Sequence, residues 1–436
     1  MPRPHRLKAL WLALALALGA VGARADDLRA GAAVVELPAP PGGPLGGYGG
    51  FSDRRAQGLL DPPQARALVL EQGELRLGIV SLDVVIVRPQ IRTQVLERTR
   101  TLGLDALLLV ATHTHSGPGG FVEGWLGERM TAGSFDPAMP GRLAAAAADA
   151  LSAAAEALEP ARLGTGVASL DLARNRRRAG GPRETTLPVL DVKAPDGRRI
   201  ARLFAYGVHA VALGPASHDY SADLIGAARS ALDADGGVSI FLPGPLGDQN
   251  PMHESLSPWP VDVAAQRSDA HEWGARMAEA VRAARFASHQ SSTLSVREAW
   301  SDVPPVALRR GSLLWWLSPL VAPQVEAFLP RRTLFQALRL GDACLLTFPA
   351  EPSTELGDAA RRLAPAGCVP FVIAHANDWL GYALTPEDYA RGGYEADLSI
   401  PGPGFGPWLL ARAGEVMRGP ELGKAIHQTG QGVELP

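Results

Sequence analysis

Apolar residues in this chain fall into two kinds of run: short blocks rich in β-branched residues, and longer stretches with apolar positions three or four apart. Blocks at Ala32–Leu37, Ala67–Leu70, Leu75–Val87, Ala106–Thr112, Thr186–Val192, Ile200–Val211, Val238–Leu242, Leu334–Phe348 and Cys368–Ala374 predict strands. Helical spacing predicts helices over Ile91–Thr101, Gly141–Leu158, Leu224–Leu232, Ser268–Ala287, Ser353–Leu363 and Trp408–Arg418. Pro386 and the Pro/Gly-rich stretch Pro401–Pro407 predict irregular loops before the last helix. Strands interleaved with helices point to an α/β (α+β) fold of layered mixed β-sheets flanked by helices. No internal repeat, low-complexity linker or composition break divides the pattern, so a single large domain is expected.

The first residues stand apart. Arg3, Arg6 and Lys8 precede the apolar run Ala9–Val21, and Ala23-Arg24-Ala25 supplies a small-residue cleavage site before Asp26-Asp27. Those are the proportions of a secretory signal peptide over residues 1–25. The apolar run is shorter than the ~20 residues of a spanning helix, so a secreted or periplasmic protein is expected. The formal charge is −3, and losing the basic signal makes it more acidic. With arginines scattered and no basic stripe, a nucleic-acid partner is excluded. The chain has two cysteines, Cys344 and Cys368. Export permits a disulfide between them, while their apolar surroundings suit two buried thiols almost as well.

The candidate chemistry begins at Ala111-Thr112-His113-Thr114-His115-Ser116-Gly117-Pro118-Gly119-Gly120. Alternate residues of a strand face the same way, so His113 and His115 are expected to share a face at the end of the run Ala106–Val110. Two imidazoles beside a Gly-rich turn suit a metal, though a satisfied pair of buried histidines fits equally well. Further groups appear one per segment: His209, the loop Gly247–Pro251, Glu351, Tyr382 and Tyr394, most of them at expected strand ends. Singly, each has a plain structural reading. His209 reads as a core histidine, Glu351 as an acid favoured by a helix dipole, and the tyrosines as packing residues. Arg176 reads as part of a solvated basic turn, Asp248 as a loop brace and Asp223 as an N-cap. Trp315 and Trp316 read as core packing.

Together these segments resemble the neutral/alkaline (non-lysosomal) ceramidase family. The resemblance runs through Asp61-Pro62 with Ala67–Leu70, Ala111–Gly120, Gly247–Pro251, Phe348–Glu351 and Asn377–Glu395, in the family's order. It implies that residues 26–436 form a neutral ceramidase-like catalytic domain with one zinc ion per chain, held by His113, His209, Glu351 and Tyr382. It also implies that His115 moves a proton to the leaving amine, and that Arg176 lies near the substrate carbonyl or headgroup. Tyr394 would polarise the scissile carbonyl. The implied reaction is hydrolysis of an N-acyl bond in a ceramide-like lipid or related acyl amide, by water whose pKa zinc lowers toward ~7. The implied partners are a small-molecule or lipid N-acyl substrate and peripheral membrane contact, with no protein partner.

Two features depart from that pattern. The family reads Gly-Asp-Val-Ser-Pro-Asn where this chain has Gly247-Asp248-Gln249-Asn250-Pro251, which puts Asn250 in place of a serine. An amide is no nucleophile, so a covalent serine route is closed, and Asn250 is expected to hydrogen-bond the substrate. The chain also stops soon after the catalytic segments, leaving no room for the family's immunoglobulin-like C-terminal domain.

Other metal hydrolases fit less well. A metallo-β-lactamase pair is followed by Asp-His, where this chain has Ser116-Gly117, and no His-Glu-x-x-His occurs. An amidohydrolase barrel carries its pair on the first strand. The remaining alternatives are a zinc esterase or amidase acting on a small non-lipid substrate, and a secreted binding protein that kept the fold without turnover.

Overall fold

The computed structural model describes residues 28–49, 53–124, 127–252, 262–287 and 292–422. The expected signal peptide lies outside them. Three arrays, sheets of five, five and four strands, organise these residues, and the short edge strands Glu159–Pro160 and Arg285–Phe286 complete the two larger ones. The first contains β1 (Arg29–Glu36), β2 (Gln64–Gln72), β3 (Leu75–Leu82) and β4 (Ala106–Ala111), with α1 (Pro89–Arg98) between β3 and β4 and α2 (Met139–Glu156) after it. The second contains β5 (Arg162–Ser169), β6 (Thr186–Lys193), β7 (Arg199–Tyr206) and β8 (Val238–Pro243), with α3 (Asp223–Asp233) crossing between the last two and α4 (Val263–Arg282) following. The third begins at β9 (Leu294–Asp302). After the short helix α5 (Leu313–Trp316) and α6 (Ser318–Phe328) it continues through β10 (Arg332–Leu340), β11 (Ala343–Thr347), α7 (Thr354–Arg361) and β12 (Val369–Ile373), and α8 (Phe405–Arg418) closes it.

Each array has the same topology: two antiparallel pairings, then a crossover helix and a parallel pairing. The expectation of no internal repeat is therefore corrected at the level of topology. A repeated chain path needs only matching patterns of apolar runs and turns, so it leaves no repeated residue string.

Period-two alternation explains why the strands read as unbroken apolar runs. Leu68, Leu70, Leu203, Ala205, Leu338 and Leu345 point to one core shared by all three arrays. Their neighbours Ala67 and Val69 face α1 and α2, Phe204 and Tyr206 face α3 and α4, and Ala337 and Leu346 face α7 and α8. Strands buried on both faces carry apolar residues at consecutive positions. The expected layered sheets flanked by helices are what the chain forms.

Several boundaries differ from expectation. The run Leu75–Val87 leaves the sheet after Leu82, because Asp83 turns inward to a buried ion pair with Arg229 at 2.6 Å. The run Leu334–Phe348 is a hairpin folded at Gly341, whose φ of 64° suits glycine. β5 and β9 were not predicted, since glycines interrupt one and exposed polar residues the other. α6 was hidden by Pro319 at its start and Pro323 within it. Pro386 opens a short helix, Pro386–Ala390, capped by the Thr385 side chain, where a loop was expected. Trp316, expected in core packing, is 70% exposed. Cys344 and Cys368 form a disulfide, settling the open choice between bridge and thiols. Among the described residues, no helix is long and apolar enough to cross a membrane.

Candidate active site

The parallel pair of each array ends at the same edge, with Leu82 beside Ala111, Tyr206 beside Pro243, and Thr347 beside Ile373. The chain leaves those six strand ends carrying polar groups inward. Backbone bonds join the three exits: His115 N–H donates to the Ala210 carbonyl at 3.3 Å, Gly247 N–H to Pro352 at 3.0 Å and Asn377 N–H to Leu109 at 2.7 Å.

His113 and His115 do meet, but not by strand alternation. β4 stops at Ala111 and His113 takes φ 65°, so the backbone has already turned when it presents the ring. The His113 Nδ1–H donates to the Val85 carbonyl at 2.6 Å, which leaves the Nε2 lone pair facing inward. His209 is set the same way, with Nδ1 3.0 Å from the Gln249 carbonyl. Glu351 accepts from Trp379 Nε1 at 2.7 Å through Oε1. Its Oε2 lies 3.3 Å from His209 Nε2 and 3.6 Å from His113 Nε2. The ligand-capable atoms of His113, His209 and Glu351 all lie within 4.8 Å of one another. Glu351 Oε2 and His209 Nε2 are buried without a hydrogen-bond partner.

Burial pushes the His113 imidazole below its ordinary pKa, against the Glu351 carboxylate, which raises it. Burial holds His209 and His115 well below theirs. Neutral rings that present Nε2 lone pairs beside a carboxylate oxygen form a donor set suited to zinc, and the two unpartnered buried atoms, His209 Nε2 and Glu351 Oε2, are otherwise costly. The residues present fit that ion.

His115 sits beside this cluster, its Nε2 3.2 Å from His113 Nε2. The Tyr48 backbone N–H donates to His115 Nδ1 over a long 3.3 Å. Gly47 must be glycine: its φ is 81°, and a Cβ there would lie 2.4 Å from the His115 ring.

Tyr382 pairs with Glu351 in a two-residue parallel bridge. Its hydroxyl accepts from Arg176 Nη2 at 3.1 Å, and burial followed by the Glu351 charge raises its pKa well above the usual phenol value. Arg176, read from sequence alone as a solvated turn, turns its side chain inward, where it is 6% exposed. It also donates to Glu395 at 2.8 Å and to Asn250 Oδ1 at 3.2 Å. Burial would lower its pKa, but Tyr382 and the carboxylates around it raise it above the usual value. The Tyr394 ring lies 5.8 Å from that of Tyr382. A cavity of about 330 Å³ brings together His113, His115, Arg176, Asn250, Glu351, Tyr382 and Tyr394, with Val85, Ile86, Trp379 and Leu398 giving it apolar wall. His209 stands behind that wall, in contact with Glu351.

Asp248 braces loops, accepting from Asn175, Gln249 and Thr354. Asp223 is not an N-cap: it is the first helical residue, and it accepts from the backbone of Ala212, Leu213 and Leu224. Sequence reasoning gave no role to Trp379, Tyr48, Glu395 or His375. Trp379 stands in the quoted string Asn377–Tyr382, but no spacing rule ties an indole to a carboxylate 28 positions away. His375 stacks on His113 with ring centroids 4.1 Å apart.

Residues 42–237 match the family model described as neutral/alkaline non-lysosomal ceramidase, N-terminal. Over 101 residues the chain is 34% identical to the neutral ceramidase of Mycobacterium tuberculosis, an alignment covering 21% of this chain and 16% of that protein. The chain is similar in structure to the neutral ceramidase of Pseudomonas aeruginosa, with TM-score 0.76 and 20% identity over 90% of this chain and 74% of that one. A second solved structure, a ceramidase complexed with C2, has TM-score 0.77 and 20% identity over 90% and 75% of the two chains. At that identity the likeness establishes the fold.

Proposed function

We propose that this chain, which carries the neutral/alkaline non-lysosomal ceramidase segment over residues 42–237, is an exported zinc-dependent hydrolase of an N-acyl amide in a ceramide-like lipid or related acyl amide. One observation carries the reading. The ligand-capable atoms of His113, His209 and Glu351 converge within 4.8 Å beside a cavity with apolar wall. Tyr382, bridged to Glu351 through the backbone and lining the same cavity, would supply the fourth donor. When bound, zinc would lower the pKa of water toward ~7 and draw charge from the carbonyl oxygen.

The chain's own residues do the rest. Arg176 keeps its charge in a buried site and orients the Tyr382 hydroxyl and the Asn250 amide oxygen. The Tyr394 hydroxyl, on the cavity wall, donates to the carbonyl oxygen as that oxygen gains charge. Hydrolysis places the water oxygen on the acyl carbon and a proton on the leaving nitrogen. His115 carries that proton at Nε2, the atom facing the site, because its Nδ1 accepts from the Tyr48 backbone N–H and so leaves the ring proton on Nε2. Val85, Ile86, Trp379 and Leu398 take the acyl chain.

The test is turnover of the zinc-loaded protein on ceramides of varied chain length beside short N-acyl amides and esters, with bound zinc measured in parallel. About one zinc per chain, with cleavage of ceramides lost in His113→Ala and Glu351→Ala, supports the reading. Full zinc occupancy without turnover of any substrate makes the protein a binder, and cleavage of short substrates alone removes lipid from the proposal.

A further inference from the structure

The segment Leu313-Leu314-Trp315-Trp316-Leu317-Ser318-Pro319-Leu320 has no part in the site described above. Leu313, Trp316, Leu317 and Leu320 are 70%, 70%, 42% and 76% exposed. They stand at positions i, i+3, i+4 and i+7, one stripe along α5 and the start of α6. Large exposed apolar residues elsewhere among the described residues are scattered, with Leu59 and Leu60 the one adjacent pair, whereas here four fall within eight positions. A contiguous apolar patch of that kind marks an interaction surface.

Its surroundings say what kind. From Val303 to Arg332 the chain carries Arg309, Arg310, Arg331 and Arg332 and the acid Glu326; Arg309 pairs with Asp397 and Arg332 with Asp302, which leaves Arg310 and Arg331 outside those pairs. Arg310 and Arg331 are exposed. Tryptophan and leucine on one helical face with arginines at both ends match a lipid interface, where the ring sits at headgroup depth and the guanidinium groups meet anionic headgroups.

The patch is also anchored to the cavity walls. Val321 and Val325, on the inner face of α6, pack against Ile400. The Ala307 N–H donates to the Ile400 carbonyl at 2.9 Å, and Arg309 pairs with Asp397. That stretch also contains Tyr394 and Leu398, which line the cavity. At the other end of α6, the Phe328 ring meets Trp379 edge-on, with centroids 5.9 Å apart.

We infer that the Leu313–Leu320 stripe is a docking surface for a lipid bilayer with anionic headgroups, carried on helices that pack against the cavity wall. It stands on a different observation from the hydrolase reading, because it is read by binding without turnover.

The experiment is co-sedimentation of the full chain with vesicles of phosphatidylcholine alone and of phosphatidylcholine with three-tenths phosphatidylglycerol. Wild-type protein should partition about tenfold more strongly onto the anionic vesicles, and raised salt should erase that preference. Trp316→Ser with Leu320→Ser should cut partitioning by about tenfold, and Arg310→Ala with Arg331→Ala should remove most of the anionic preference. Leu59→Ser, an exposed apolar site outside the stripe, should bind as wild type. Absence of binding to anionic vesicles overturns the proposal, as does equal binding by the Trp316/Leu320 variant. So does a concentration-dependent dimer that this variant abolishes, since the stripe would then be covered by a second copy. Unchanged far-ultraviolet circular dichroism in each variant separates lost binding from lost fold.

Discussion

The indole of Trp379 donates to one oxygen of Glu351 at 2.7 Å and so turns the other oxygen toward His209 and His113. A carboxylate with free rotation would present either oxygen, or both, to solvent. Here the cavity wall itself decides which one is available.

Trp379→Phe tests that relationship. It keeps an aromatic ring, smaller than the indole, and removes the donor, and the loss of such a supporting bond costs about 10–100-fold in metal affinity. Zinc affinity, measured by chelator competition, should fall by about that factor, and the melting temperature should drop as well, because the smaller ring leaves space and Glu351 Oε1 loses its donor. Unchanged affinity would show that Glu351 is aimed by something else.

Gly47→Ala tests the support of His115. The new Cβ would lie 2.4 Å from the imidazole in a backbone of φ 81°, so the loop or the ring must move. Strain of this kind costs of order 1–3 kcal/mol. Turnover should drop at least tenfold with zinc content unchanged, since the metal-facing atoms of His113, His209 and Glu351 are not touched.

Arg176→Gln removes a buried charge that faces Glu395, Tyr382 and Asn250. Breaking a buried pair by removing one partner costs about 3–5 kcal/mol. The cost should fall at the low end, because Arg177 still pairs with Glu395 at 2.6 Å. Urea unfolding measures it, and a cost below 1 kcal/mol, the level of an exposed charge, would contradict the buried placement.

The Cys344–Cys368 bridge closes a loop of 24 residues at the start of the β11–β12 pair. Loop-closure entropy assigns it about 3 kcal/mol. Cys344→Ser with Cys368→Ser, or reduction of the wild type, should lower the melting temperature by several degrees. No shift on reduction would mean that the denatured chain gains nothing from losing the link.

Asp223 gives the stability a pH dependence with a definite sign. Burial raises its pKa from 3.8 to about 6, against three backbone donors that lower it. A carboxyl whose folded pKa is raised contributes stability that is complete below pH ~4 and is lost as pH climbs through about 6, on the order of 3 kcal/mol. The cost of Asp223→Asn in metal-free protein should therefore shrink by roughly that amount between pH 4 and pH 7. A cost independent of pH would sink the argument. The buried histidines pull the other way, since their lowered pKa values remove stability as pH falls below 6.5, but they are common to both proteins and cancel in the difference.

Much of the architecture was legible because both faces of each sheet are covered. Eight of the nine predicted strand blocks became one strand each, and Leu334–Phe348 became two, with errors only where an apolar run continued past a turn, as at Val84–Val87. The half-exposed β9 and the proline-containing α6 escaped, because one has a polar outer face and the other breaks helical propensity locally.

The sequence by itself determined the chemical vocabulary: two imidazoles beside a Gly-rich turn, a carboxylate at a helix entry, a phenol, and the apolar runs that would bury them. Spacing and periodicity could not place residues 113, 209 and 351 at one point; without the physical reason, only the resemblance to a family implied that meeting. That followed from three arrays packing their inner faces into a common core, which brings the exits of three parallel strand pairs to one place. Even the His113–His115 contact owes nothing to strand alternation, because a backbone at φ 65° makes it. Local pattern encodes which way a residue faces along its own element. Convergence between elements is a property of packing, and packing exists only in the folded chain.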